Sequence, residues 1–386
     1  MHAVVAGLVG SYPLGGMAYH YLQYALGLKA LGWQVAYLED TGKWFYNPLS
    51  ETFSADPTYN VDYLRDAMQA FGLPHSWCLR DGAERWYGPL AEQAPAFVAN
   101  ADLLLNVSGA CWLRPEYRRC RTTVYVDTDP GYTQLAVSEA LSGRADDAVA
   151  TKVDLISCHD FHATFAENIW DDGCPIPREP FRWIPTRQPI VMDLWPFRAH
   201  RAATRFTTVL SWEPYRKQFR DVPAFPDKQG KLMAMLELPR STGATMELAV
   251  SGNAPVDVFA HHGWRTRPAF SISHSPEAYR RYIAGSAAEF SVAKGTYVET
   301  QSGWFSERTA CYLASGRPAV VADTGFSKRL PAGGGLHAFH SFDEARDGIR
   351  RVIRNHADEC RRARFIAEEC FDAPKVLGRL LDAVKL

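Results

Sequence analysis

At 386 residues, 47% hydrophobic and 22% charged, the chain exceeds what one ordinary core organises and is too apolar to be disordered, so two domains are expected. Its 42 basic and 43 acidic residues nearly cancel, which argues against nucleic acid as a partner and confines any anion site to a local pocket. No apolar run reaches membrane-spanning length, no basic segment precedes an apolar N-terminal core, and the eight cysteines form no CxxC pair. A cytoplasmic protein with reduced thiols is expected, with at most peripheral membrane association.

In chain order, Ala3 to Val9 reads as a buried strand, and Gly10 to Gly16 as a turn-rich loop that leads into a helix over 17–31. Gly32 stops the helix, and Gln34 to Asp40 reads as a second strand, which completes the start of a βαβ unit. Residues 42–100, rich in Trp, Tyr and Pro, look like an insertion over the domain face with helices near 60–71 and 89–99. Their aromatics, Trp44, Phe45, Tyr46, Trp77, Trp86 and Tyr87, suit either ordinary packing or an acceptor surface for a flat molecule. Asp102 to Val107, Thr122 to Val126 and Asp154 to Ser157 read as three further strands.

Between 173 and 204 the prolines Pro175, Pro177, Pro180, Pro185, Pro189 and Pro196 resist helix and suggest a stiff interdomain linker. Strands then resume at Thr207 to Ser211, Met246 to Val250, Ala269 to Ser271, Phe290 to Val292 and Ala319 to Ala322. Helices are expected near 228–238, 275–284, 305–314 and 343–355. The expected division is 1–190, 191–365 and a terminal helical stretch, 366–386, that can lie back over the first domain.

Two segments carry chemistry. Gly15-Gly16-Met17-Ala18-Tyr19-His20-Tyr21-Leu22, followed by Leu28, Leu31 and Gly32-Trp33-Gln34-Val35, places glycines at a helix start, where backbone amides and the helix dipole suit an anion. The second runs from Ser302-Gly303-Trp304-Phe305-Ser306-Glu307-Arg308 through Cys311 and Gly316-Arg317-Pro318 to Asp323-Thr324-Gly325. It has a glycine loop, a short helix with an acidic start, a Gly-x-Pro turn, a buried strand and a final glycine.

Together these resemble the family-4-like GT-B glycosyltransferases, and the string Cys311 to Gly325 is similar to bacterial proteins grouped with glycosyltransferases. The resemblance implies an α/β chain of two Rossmann-like doubly wound domains facing across a cleft, with a nucleoside-diphosphate sugar bound by the second domain and an acceptor by the first. In that family two glutamates stand eight positions apart, the second five residues before the glycine of the Gly-x-Pro turn. Here that slot is Cys311, while Glu299 and Glu307 keep the spacing one helical turn early, so the register departs from the pattern.

The resemblance and the chemistry of a diphosphate nominate Gly15, Gly16, Arg216, Lys217, Gly252, Asn253, Lys294, Gly303, Ser306, Glu307 and Arg308 for the donor. Each also has a plain reading as a turn glycine, a helix cap or a solvated charge. Replacing Glu307 or Arg308 by alanine is expected to weaken nucleotide binding and leave the fold intact. For an acceptor hydroxyl, Asp127, Asp129, His20 and His159 are the available bases if the reaction inverts, whereas in a retaining reaction the leaving diphosphate itself serves. No metal and no cofactor is expected, because cations and helix dipoles can neutralise the diphosphate; His261-His262 lacks metal-site spacing. The alternatives are a GT-B epimerase or phosphorylase, and a noncatalytic nucleotide or sugar binder that has lost its chemistry.

Overall fold

The apolar run that follows Met1 lies at the centre of a sheet, where Val4 and Val5 are both covered, one on each face. A strand covered on both faces reads as a continuous apolar stretch rather than an alternating one. The computed structural model describes residues 1–197, 205–212 and 227–386. Its strands are β1 (His2–Ala6), β2 (Gln34–Asp40), β3 (Phe45–Asn47), β4 (Thr52–Ser54), β5 (Trp77–Arg80), β6 (Trp86–Tyr87), β7 (Leu103–Val107), β8 (Thr123–Asp127), β9 (Phe161–Thr164), β10 (Trp183–Pro185), β11 (Arg205–Ser211), β12 (Thr245–Ser251), β13 (Arg265–Pro268), β14 (Ala288–Ser291), β15 (Ala319–Ala322) and β16 (Leu336–Phe339).

The first sheet has the order β10-β9-β8-β7-β1-β2-β5-β6 and is parallel except for the β5–β6 pair. The second has the order β13-β12-β11-β14-β15-β16 and is parallel throughout. Strands β3 and β4 form a separate antiparallel hairpin. Each large sheet reverses its strand order once, between β1 and β7 in the first and between β11 and β14 in the second.

The helix Gly15–Ala30 is apolar nearly all round, because it has a neighbour on every side. One side covers the first sheet, and another takes the terminal helix Ala373–Ala383 so closely that a Cβ on Gly27 would fall 2.5 Å from Leu377 Cδ1. Its N-terminus meets the helix Pro276–Ala284 of the second half, where a Cβ on Gly15 would lie 2.5 Å from the Ser275 carbonyl oxygen. Gly15 is therefore required by the packing of one half against the other. The segment after β10 also returns to the C-terminal region, with Ile190 N donating to Phe371 O at 2.7 Å.

Several elements differ from the sequence expectation. Residues 154–157 end the helix Asp147–Ser157 rather than forming a strand. Val149, Val153 and Ile156 repeat at helical spacing on its packed side, Asp146 caps it through Val149 N at 2.8 Å, and the strand falls instead on β9. Ala269 to Ser271 lies beyond β13 and enters a single helical turn, Phe270–Ser273. Arg265 and Arg267 had masked β13 as polar, but it is an edge strand, and Arg267 pairs with Glu247, Nε to Oε1 3.1 Å. The proline-rich stretch contributes β10 to the edge of the first sheet, and the 42–100 segment contributes β5 and β6 to the other edge.

Candidate functional site

Ligands of open parallel sheets bind beyond the strand C-termini where strand order reverses. Here both reversal points open on one cleft of about 550 Å³ between the two sheets. Leu14 reaches it from the loop after β1, Gly16 from the start of the helix that follows, Ser108 from just beyond β7, Ser211 from the end of β11, and Lys294 from the loop after β14. A chamber of about 160 Å³ on the side of the second sheet shares Lys228, Lys294, Ser306 and Arg308 with it.

Of the residues singled out from sequence, Gly16, His20, Asp129, Lys294, Ser306, Glu307 and Arg308 line this cleft. Gly15 stands at its edge against Ser275. Arg216 and Lys217 lie outside the described residues. Gly252 and Asn253 are exposed on the loop beyond Ser251, and it is Ser251 that lines the cleft. Gly303, at φ +81°, packs against Asn168 of the first half, whose N–H donates to the preceding Ser302 O at 3.0 Å, and its own N–H donates to Thr324 O at 2.8 Å.

Asp127 and His159 are spent elsewhere. Asp127 is 1% exposed and accepts from Thr133 Oγ1 (2.8 Å), Gln134 Nε2 (2.7 Å) and Thr164 Oγ1 (2.7 Å), which fixes the loop that follows β8. His159 lies 3.1 Å through Nδ1 from Ile156 O and 3.0 Å through Nε2 from Asn106 Nδ2. The carbonyl can only accept, so Nδ1 carries the proton and donates to it, Nε2 accepts from the amide, and burial lowers the ring's pKa to about 4. Both ring nitrogens are occupied away from the cleft.

His20 does face the cleft, on the helix that follows β1. Burial lowers it to about 4, so its imidazole is neutral at pH 7. Nε2 lies 3.4 Å from Ser108 Oγ, which in turn is 2.7 Å from Thr128 Oγ1. Ser108 holds a left-handed φ of +60°, a strained conformation that fixes its hydroxyl between the two.

On the opposite wall, Arg308 is tied back into the sheet: Nε donates to Glu289 Oε1 (2.6 Å), Nη1 to Val209 O (2.7 Å) and Nη2 to Ser291 Oγ (2.7 Å). Its charge faces the cleft from a locked position. That argues against the expectation that alanine here spares the fold, since Glu289 is fully buried and would be left without its cation. Glu307 accepts from Cys311 Sγ at 2.9 Å, and burial raises its pKa to about 7. Gln23 of the first helix reaches the same carboxylate at 3.5 Å.

Sequence reasoning missed Lys228, Tyr297, Trp304, Ser108 and Thr128. Lys228 opens a short helix, and burial, then the nearby Arg308 and Lys294, lower its pKa to about 7. Tyr297 follows Lys294 by three positions, an i, i+3 spacing legible in the sequence, and it stacks on Trp304 with ring centroids 4.2 Å apart. Trp304 Nε1 donates across the cleft to Thr128 O at 3.1 Å. Of the 42–100 aromatics, Phe45 and Trp77 are core residues, and none of the six lines the cleft.

No family model matches the sequence, and no curated protein matches it. Among solved structures, an alpha-glucosyltransferase in complex with UDP is similar over 100% of both chains, with a TM-score of 0.58 at 9% identity. HepE of Anabaena in complex with UDP and glucose is similar over 100% of this chain and 99% of that one, with a TM-score of 0.56 at 11% identity. AviGT4, a glycosyltransferase involved in avilamycin A biosynthesis, is similar over 100% and 97%, with a TM-score of 0.51 at 14% identity. With two parallel sheets whose reversal points share one cleft, and with this likeness along the whole chain, the protein has the GT-B glycosyltransferase fold, two Rossmann-like domains facing each other.

Proposed function

We propose that the protein is a glycosyltransferase that moves a sugar from a nucleoside-diphosphate donor to a hydroxyl acceptor without a required metal. The observation that carries this reading is the convergence of Lys228, Lys294 and Arg308 on one wall of a cleft that opens at the reversal points of both sheets. Three cations, Lys294 after a strand and Lys228 and Arg308 at helix starts, suit a diphosphate, and they do the neutralising work that a divalent ion does in other sites. The UDP bound to the alpha-glucosyltransferase and to HepE supports a nucleoside diphosphate as the ligand class.

In this reading the donor's diphosphate rests against Lys228 and Lys294, and Glu307 accepts hydrogen bonds from donor hydroxyls. The acceptor approaches along the wall of His20, Ser108 and Asp129. The bond from the acceptor oxygen to the anomeric carbon forms as the bond from that carbon to the β-phosphate oxygen breaks. The acceptor proton passes to His20 or Asp129, or to the departing diphosphate, and the nucleoside diphosphate leaves with its charge held by the lysines.

Calorimetric titration with UDP, GDP, ADP and dTDP, followed by a donor-hydrolysis assay with the matching nucleotide sugars, tests the proposal. Saturable binding of one diphosphate with slow release of its sugar is the expected result. Failure of all four to bind ends the reading, and binding with no turnover on any acceptor favours a noncatalytic binder.

A further inference from the structure

The wall of the cleft already carries an anion. Asp129, on the loop after β8, lays its carboxylate on Lys294, with Nζ 2.9 Å from Oδ1 and 3.1 Å from Oδ2, and it also accepts from the Tyr297 hydroxyl. The partners come from opposite sheets: Asp129 follows the first sheet's β8, and Lys294 and Tyr297 lie on the segment after β14 of the second. Lys294 stands at the second sheet's reversal point, the position from which a lysine neutralises a bound anion.

The approach is built into the backbone. Asp129 N donates to Asp127 Oδ1 at 3.2 Å, Asp127 is pinned by Thr133, Gln134 and Thr164, and Thr128 O is held by Trp304. The pair is nevertheless exchangeable. The Lys294 and Asp129 side chains are 33% and 36% exposed, so water and salt screen their attraction. Arg308 contrasts with it, because its partner Glu289 is closed off from water and cannot leave.

We propose that Asp129 is an internal competitor for the diphosphate seat, so that an arriving diphosphate takes Lys294 and Tyr297 and the displaced carboxylate becomes available to the acceptor. The inference rests on the nucleoside-diphosphate reading above and deepens it, since it makes donor binding precede acceptor activation. A diphosphate brings more charge than one carboxylate to the same ammonium, and the exchange therefore runs in its favour.

The test is a binding cycle with UDP, and with inorganic pyrophosphate as a probe without a base. Asp129→Asn keeps the side-chain shape and removes the competing charge. An exposed ion pair of this kind corresponds to a gain of up to about fivefold in affinity, larger at low salt. Lys294→Gln lowers affinity, and in the Lys294→Gln background Asp129→Asn gains nothing, because the two effects share one contact. Equal or weaker binding by Asp129→Asn in the natural background overturns the exchange and leaves the donor reading standing. Failure of both probes to bind any of the four proteins overturns the two together. A purely structural role for Asp129 predicts weaker binding and a lower melting temperature, which the melting curves of the same variants report.

Discussion

Glu289 and Arg308 form an ion pair across the base of the cleft, Oε1 to Nε 2.6 Å, in which the carboxylate has no exposure and the guanidinium side chain 18%. Removing one member of a buried pair costs more than the pair contributes, because the survivor keeps its desolvation penalty. Arg308→Ala is expected to lower unfolding free energy by about 3–5 kcal/mol. The double variant Glu289→Met, Arg308→Met should recover most of that loss. Urea denaturation of the three proteins checks both statements, and an Arg308→Ala midpoint equal to the parent's refutes the first.

Burial raises Glu307 from 4.5 to about 7. Between those values the folded chain holds a proton that the unfolded chain releases, so the contribution of this group to stability falls as pH rises through that window. Glu307→Gln does not titrate. Its melting temperature relative to the parent should therefore move upward from pH 5 to pH 8, and an offset constant with pH contradicts the assignment.

Lys228 responds in the opposite sense. Its pKa is lowered from 10.5 to about 7 by burial and by the neighbouring Arg308 and Lys294. A diphosphate beside it restores the charged form, so binding at pH 8 should draw in most of one proton and binding at pH 6 almost none. Calorimetry in Tris and in HEPES, buffers of different ionisation enthalpy, measures that uptake. Lys228→Met should abolish it and weaken binding about tenfold or more, since one charge-assisted contact is worth roughly 1.5–3 kcal/mol.

Asn168 joins the halves. Its Nδ2 donates to Gln301 O (3.0 Å) and Gly325 O (2.9 Å), and its Oδ1 accepts from Arg329 Nε (3.0 Å), with the residue fully buried. Asn168→Ala removes a donor from the half-buried Gln301 carbonyl and from the buried Gly325 carbonyl, and it is expected to cost about 1–3 kcal/mol. Gly303→Ala should be comparably harmful, since its Cβ would meet Asn168 at 2.9 Å from a backbone at φ +81°. Hydrogen exchange should show the loss of protection concentrated in 295–325 and around Asn168; uniform loss would refute a junction role.

Much of the first sheet was legible because fully covered strands such as β1 and β7 are continuous apolar runs that end in turn residues. Strand β13 was not, since an edge strand carrying two arginines resembles a loop in sequence. The helix over 147–157 was read partly as a strand, because four residues of a short apolar segment do not distinguish period 2 from period 3.6. In the candidate site, Lys294, Glu307 and Arg308 were legible as charges at a strand end and a helix start. Asp127 and Asp129 were indistinguishable in sequence, and folding sends one into the protein beneath the loop and the other onto Lys294.

The order of apolar runs, glycines and prolines by itself determined that the chain forms successive α/β units whose strand ends carry polar loops, because burial and backbone sterics act over a few neighbouring residues. Only the tertiary structure decided which charges meet. Asp129 and Lys294 are 165 positions apart, and Glu289 and Arg308 lie on different elements. Such contacts depend on how two sheets are placed against each other, and no local pattern encodes that distance.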